Sequence, residues 1–468
     1  MTSSPHAPQS VAYVRTEDAP ILPPPANTTG LYGWARRNFL DSMTDFSDVG
    51  SSVRSVLMIL LTAFLLWFGI SQIWGLIKFV FIDGIWSNPT GARREACLTQ
   101  AQGGLLPNDQ TVGACWPYVA ANAKLFIYGR YPMAELWRPN LVFLLLALGL
   151  VWTLWSRMPY RKIGAALMLV VFPMVAFVLL TGADLSAPKA FWYVWPLATA
   201  ILLGLGWAGG KGMGGEAVKA FSGAFWGLGL FFAYILVFAL AATMNWGLNS
   251  VTTRDWGGLL VTLVVALTGI TASLPLGILL ALGRRSTLPA VKILSVAFIE
   301  FWRGVPLITV LFMSSVMLPL FLPPGTSFND LLRALIGVTL FASAYMAEVV
   351  RGGLQAIPKG QTEGAQSLGL SFWETTRLIV LPQALTLVIP GIVNTFIGLF
   401  KDTTLVSIIG MFDLLGQVSS TFADSSWATP VTRPTGYLVV AAIFFVFCFL
   451  MSRYSMSMEK KLRRGHAR

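Results

Sequence analysis

Ten apolar runs of roughly membrane-spanning length constrain this chain more than any other feature. They lie near 56–82, 140–156, 163–181, 193–209, 222–244, 257–283, 304–322, 332–350, 382–400 and 436–453. A bilayer's hydrocarbon core is filled by about 20 helical residues. With 55% hydrophobic and 12% charged residues among 468, the chain reads as an all-α polytopic membrane protein and not as a soluble enzyme.

The net charge of +12 does not signal a nucleic-acid partner, because Lys and Arg gather in the cytoplasmic loops of membrane proteins. Arg157, Arg161 and Lys162, then Lys211 and Lys219, then Arg284, Arg285 and Lys292 fall on one side of the span count. The stretch Glu348–Gln383 and the basic end from Arg453 share that side, so both termini are expected in the cytoplasm. The long loop 83–139 falls on the opposite side despite Arg93, Arg94, Lys124, Arg130 and Arg138, since long loops obey the charge rule poorly. Cys97 and Cys115 then share an oxidising compartment and form a candidate disulfide, while Cys448 sits in the last span as a packing residue.

The expected organisation is a largely disordered cytoplasmic tail over 1–52, rich in Pro, within which Leu31 to Phe46 could form a surface helix. A five-helix membrane region over 53–244 follows, with the loop 83–139. A second membrane region covers 257–454, and a basic tail covers 455–468. The two His and three Cys lack metal-ligand spacing, so no metal is expected. Gly209-Gly210-Lys211-Gly212 is not a phosphate-binding loop: Leu205 stands where the first Gly is needed and Gly212 where Ser or Thr is needed. The 17 Trp fit interfacial belts.

The stretch 348–383 is too polar to cross a bilayer. Pro358, Gly352, Gly353 and Gly360 are expected to break the incoming helix, and Thr362 to Leu368 to form about two turns. Gly369 is expected to end them, Ser371 and Glu374 to form a capping box, and Pro382 to open the next span. The order Glu363-Gly364-Ala365, Gly369, nine residues, Ile379-x-Leu381-Pro382 resembles the E-A-A-x3-G-x9-I-x-L-P coupling loop of ABC-importer permeases. Gly360-Gln361 and Pro382-Gln383-Ala384 are similar to the flanks of its polar amino acid branch. Gly364 departs from the usual Ala, at a cost of about 1 kcal/mol in a short helix. Tyr128 to Pro139, with Ala114-Cys115-Trp116, resembles the first half of general L-amino acid permeases.

The resemblance implies a type I importer core over the last five spans, with coupling loop 351–382. It implies a permease that moves polar or general L-amino acids inward from the periplasm across a bacterial inner membrane. Its expected partners are a cytoplasmic ATPase dimer, a second permease subunit (a similar chain or itself), a periplasmic amino acid binding protein and membrane lipid. ATP would be used by the partner subunit, with no cofactor on this chain. An ion-coupled secondary transporter is the alternative; it would show repeated broken helices in both halves, and none is visible between 53–244 and 257–454.

Charges near membrane depth are the remaining candidates. Glu300 and Arg303, spaced i, i+3, can bridge, as either an interfacial pair or a gate contact, and Glu348 and Arg351 repeat that spacing. Ser286 to Arg303 reads as an amphipathic segment along the membrane face, with Pro306 opening the span. The run 382–415 is too long for one straight span, so Pro390 and Gly391 should kink it and Lys401-Asp402 break it. Lys401-Asp402-Thr403-Thr404 resembles the branch's K-D/N-T-S-L and is read as either substrate pathway or a structural pair.

Overall fold

A computed structural model describes residues 49–466 apart from 89, 156, 184–190, 214, 216–217, 220 and 322–328. The tail 1–52 is thus described only from Val49, and the surface helix expected over Leu31 to Phe46 lies outside the described residues. Among the described residues every regular element is a helix. Nine are long and apolar enough to cross a membrane, and counting the bent pair Pro289–Gly304 with Leu307–Phe321 as one span makes ten.

The chain divides into two units after Gly84. The first carries α1 (Val49–Ile77), which continues as a π turn through Ile82. Its large side chains, Leu61, Phe64, Leu65 and Trp67 among them, are exposed all round. A helix apolar on every face is suited to lipid, not to water.

The second unit opens with α2 (Trp116–Tyr128), α3 (Trp137–Leu154), and α4 (Phe172–Thr181), the last preceded by a short helix and a π turn from Arg161. Helices α5 (Phe191–Gly210) and α6 (Ser222–Thr243) form a hairpin packed chiefly on itself. The core follows: α7 (Gly258–Arg284), α8 (Pro289–Gly304), α9 (Leu307–Phe312), α10 (Asp330–Ala356), α11 (Lys359–Ser367), α12 (Phe372–Thr375), α13 (Leu381–Leu387), α14 (Ile389–Asp402), α15 (Leu414–Ser420) and α16 (Thr432–His466). The basic segment 455–466 continues α16 as helix. There is no seam between 244 and 257: Val142 of α3 and Leu180 of α4 share one hydrophobic core with Leu260 and Val261 of α7 and Val310 of α9.

Two prolines shape the core. Before Pro306 the αR region is disfavoured, and Val305 and Pro306 are both extended, so α8 and the span that follows meet at 107°. Pro390 occupies the first turn of α14, and the chain breaks just before it at Val388.

The loop 83–139 folds back as a cap on the core. Cys97 and Cys115 are joined by a disulfide with Cα atoms 5.9 Å apart. They pack with Tyr118 and Phe126 against Leu414, Val418, Trp427 and Val440, hundreds of residues later. Polar groups pin the same contact: the Cys115 N–H donates to Thr435 Oγ1 at 3.0 Å, the Tyr118 hydroxyl meets Thr421 Oγ1 at 2.6 Å, and Arg93 Nη1 donates to Ser426 Oγ at 3.0 Å. Burial pushes the Tyr118 hydroxyl pKa up. Arg138, only 1% exposed, pairs with Glu135 at 2.9 Å and donates to the Asn249 carbonyl at 2.7 Å. One of the basic residues that strained the charge rule is therefore neutralised locally.

Candidate functional site

At the end opposite the cap, the stretch after α10 forms a two-helix knuckle. Gly352 and Gly353 do not break the incoming helix: α10 runs through them to Ala356, and Gly360 lies inside α11. Packing overrides their weak propensity, since a side chain on Gly353 would meet the Ala384 carbonyl oxygen at 2.6 Å. Of the four expected breakers only Pro358 acts: the helix ends at Ala356, with Ile357 extended before it. After α11, Gly369 adopts φ +77°, a conformation that costs any residue with a Cβ. The Leu370 N–H then closes onto the Ala365 carbonyl at 3.2 Å. Ser371 and Glu374 form the expected capping box: the Ser371 N–H donates to Glu374 Oε2 at 2.9 Å, and the Glu374 N–H to Ser371 Oγ at 3.4 Å. The Ser371 backbone N–H holds the Glu374 carboxyl below its ordinary range.

The motif residues divide by burial. Ala365 is buried and anchors the knuckle, whereas Gln361, Glu363, Gly364 and Gly369 face solvent. Leu381 packs on the core cluster of Met346, Val350, Leu354 and Ala384, Ile379 is half-buried, and Pro382 sits in the first turn of α13. The Gln383 side chain donates to the Gln361 side-chain oxygen at 3.1 Å, strapping α11 to α13 across the loop. What the motif does not announce is a set of large apolar side chains left in the open: Leu368 at 80% exposure, Phe372 and Trp373 at 65%, and Leu378 at 64%. Their only sequence signal is being apolar within a short, capped, polar loop.

Above the knuckle the helix ends are tied by charge. Arg284 Nη1 lies 2.8 Å from Glu348 and 2.9 Å from Glu300, and Arg351 Nη2 lies 2.7 Å from Glu348. Arg303 reaches Glu348 at 3.7 Å and lies over the Tyr345 ring at 5.7 Å. The i, i+3 bridge expected between Glu300 and Arg303 is not among the ion pairs of the described residues; α8 turns them towards separate partners on α7 and α10. The expected Glu348–Arg351 bridge is present. Glu348 thus gathers three guanidinium groups from α7, α8 and α10, immediately before the knuckle.

Lys401 and Asp402 close α14, where the chain tightens into a 3-10 turn from Thr403 to Ile409. Lys401 is exposed and Asp402 half-buried, and neither joins an ion pair among the described residues. Thr403 is 1% exposed, with its hydroxyl donating to the Phe400 carbonyl at 2.8 Å. Thr404 donates to the Lys401 carbonyl at 2.9 Å. Of the four residues, Thr403 is the one the fold withdraws from any open path.

Residues 273–464 match the family described as binding-protein-dependent transport system inner membrane component. The chain is 41% identical to the inner membrane amino-acid ABC transporter permease protein YhdY of Escherichia coli, over 95% of this chain and 97% of that one. It is 40% identical to the glutamate/glutamine/aspartate/asparagine transport system permease protein BztC of Rhodobacter capsulatus, over 97% and 99%. The chain belongs to the amino-acid ABC transporter permeases. The probable glutamine ABC transporter permease protein GlnP of Bacillus subtilis is 33% identical, but over 44% of this chain and 91% of its own. More than half of this chain therefore has no counterpart in that shorter relative. Like its relatives, it is a multi-pass inner-membrane component of a transport system, and an ABC importer permease for amino acids.

Proposed function

We propose that this permease is worked through the knuckle by a separate cytoplasmic ABC ATPase dimer, which alone uses ATP. Leu368, Phe372, Trp373 and Leu378 supply the apolar grip, and Glu363, Gly364 and Gly369 the polar surround. The single observation that carries this reading is that these apolar groups stand exposed on a loop whose backbone is fixed by the Gly369 turn and the Ser371–Glu374 box. Movement of the knuckle would pass to α13 and α14 through the Gln361–Gln383 strap, and to α7, α8 and α10 through the arginines around Glu348. The knuckle end and both termini then face the cytoplasm, and the cap faces the periplasm, where a binding protein would deliver substrate.

The cargo is a polar L-amino acid of the class named for the relative from Rhodobacter. Lys401, Asp402 and Thr404 offer both charge signs to a zwitterion at the end of α14, and Thr403 holds the turn behind them. A second permease subunit, either a similar chain or a copy of this one, would complete the pathway.

Uptake by proteoliposomes containing the permease, its ATPase and its binding protein tests this reading. Gly369→Asp, at φ +77°, should abolish uptake while membrane insertion stays normal. Uptake that persists in the absence of any ATPase would overturn it. Competition by a panel of labelled amino acids would set the range of cargo.

A further inference from the structure

Between α3, α4, α7 and α10 lies a cavity of about 1140 Å³ that the coupling and pathway residues do not use. Its body is apolar, with Phe143 and Leu146 of α3, Ala176 of α4 and Val264 of α7 among its walls. Its cap end is polar and includes Arg254, Trp256, Asn329 and Arg333. We propose that it holds one membrane phospholipid, with acyl chains along the apolar walls and the phosphate at Arg254 and Arg333.

Three observations lead there. First, two residues that line the cavity carry a buried N–H donor with no acceptor among the described residues: the Trp256 indole Nε1, on a residue 7% exposed, and Arg333 Nε. A buried donor without an acceptor is costly, so the occupant must present acceptor oxygens at this end, as phosphate and glycerol esters do. Second, the guanidinium groups of Arg254 and Arg333 converge on one carboxylate, Asp330, at 3.7 and 3.4 Å, while the neighbouring Asp255 is turned to the Thr252 hydroxyl at 2.7 Å, so this corner offers two cations that an anionic headgroup can approach. Third, the walls are membrane spans, so a long apolar occupant is at hand in the bilayer. Water does not suit the body, because apolar cavities stay dry. Nor does a free amino acid, which would leave the space beside Phe143 and Leu146 unfilled. The volume exceeds the roughly 300–1,000 Å³ of small-molecule pockets, which suits acyl chains.

The full chain, reconstituted in nanodiscs of equal parts phosphatidylglycerol and phosphatidylethanolamine and then exchanged into detergent, should keep about one phospholipid per chain by native mass spectrometry. Phosphatidylglycerol should be preferred. Joint Arg254→Gln and Arg333→Gln should lower retention about tenfold, equivalent to 1.4 kcal/mol. Ala176→Trp should expel the lipid with both arginines intact, because it fills the apolar body. Should the double variant fail to insert, Arg254→Gln alone, at an exposed position, still lowers retention severalfold if the proposal holds. A wild-type chain that keeps no phospholipid, or retention unaltered in every variant, overturns it.

Discussion

The two ends of the core are built on opposite principles. The cap end is closed by groups far apart in sequence: the Tyr118–Thr421, Cys115–Thr435 and Arg93–Ser426 hydrogen bonds and the bond from Arg138 to the Asn249 carbonyl, with the Cys97–Cys115 disulfide inside the loop. The knuckle end is closed within the single stretch 361–383: an αL glycine, a capping box and one side-chain strap between Gln361 and Gln383. Long-range buried polar contacts open only with the whole structure around them, whereas short-range exposed ones open at small cost. The cap is suited to stay in place and the knuckle to shift as a preformed unit. A moving part must keep its own shape while its surroundings change, and local hydrogen bonds provide that.

The largest effect belongs to the cap. Arg138→Ala leaves the half-buried Glu135 carboxylate with only its hydrogen bond from the Asn249 side chain and the Asn249 carbonyl without its donor, which should cost about 3 kcal/mol. Thermal unfolding in detergent, with limited proteolysis between 83 and 139, reads the loss. A stability change below about 1 kcal/mol, the worth of an exposed pair, would erase the contrast between the two ends.

Cys97→Ser with Cys115→Ser should destabilise the same region by about 3 kcal/mol, and reductant should reproduce the effect on the unmodified chain. Two alkylatable thiols in the native, unreduced protein would contradict the bonded cap.

Asp413 sharpens the comparison through pH. It caps α15 beside the cap, accepting from the Gly416 and Leu415 N–H groups at 2.9 and 3.1 Å, yet burial pushes its pKa up to about 6. The unfolded carboxyl titrates near 3.9. Between these values the native state holds a proton the unfolded chain has released, so stability falls as pH rises from about 4 to 6 and levels off above. Asp413→Asn, which keeps the shape of the cap, should flatten that slope in unfolding curves measured across the window. An unaltered slope would assign it to other groups.

The smallest effect belongs to the knuckle. Ser371→Ala removes one cap of an exposed four-residue helix and should cost about 1 kcal/mol locally. Hydrogen exchange should quicken over 371–376 and not over the cap. Exchange quickening equally at both ends would mean that the knuckle is not an independent unit.

The elements readable in advance are those set by short-range chemistry. The spans follow from run length, the bend before α9 from Pro306, the break in 382–415 from Pro390, and the knuckle's caps from Gly369, Ser371 and Glu374. The expectations that failed depended on neighbours distant in sequence. Gly352 and Gly353 look like helix breakers, but the backbone of Ala384 packs against Gly353 and the helix runs on. Glu300 and Arg303 have bridging spacing, but Arg284 and Glu348 compete for them and win. The docking of loop 83–139 on residues 414–440 leaves no local pattern, because each half of that contact is an ordinary apolar or hydroxyl residue until the other is brought to it.

By itself, then, the sequence determined that the chain is a helical membrane protein with a preformed knuckle, since hydrophobic run length, proline, glycine and caps act within a few residues; the permease family entered through the resemblance of the motif around Glu363. Only the tertiary structure decided which charges meet at Glu348, where the cap rests and that a large apolar cavity with unpaired donors opens beside α7. Those outcomes depend on distances between helices, and such distances are set by the packing of all of them together.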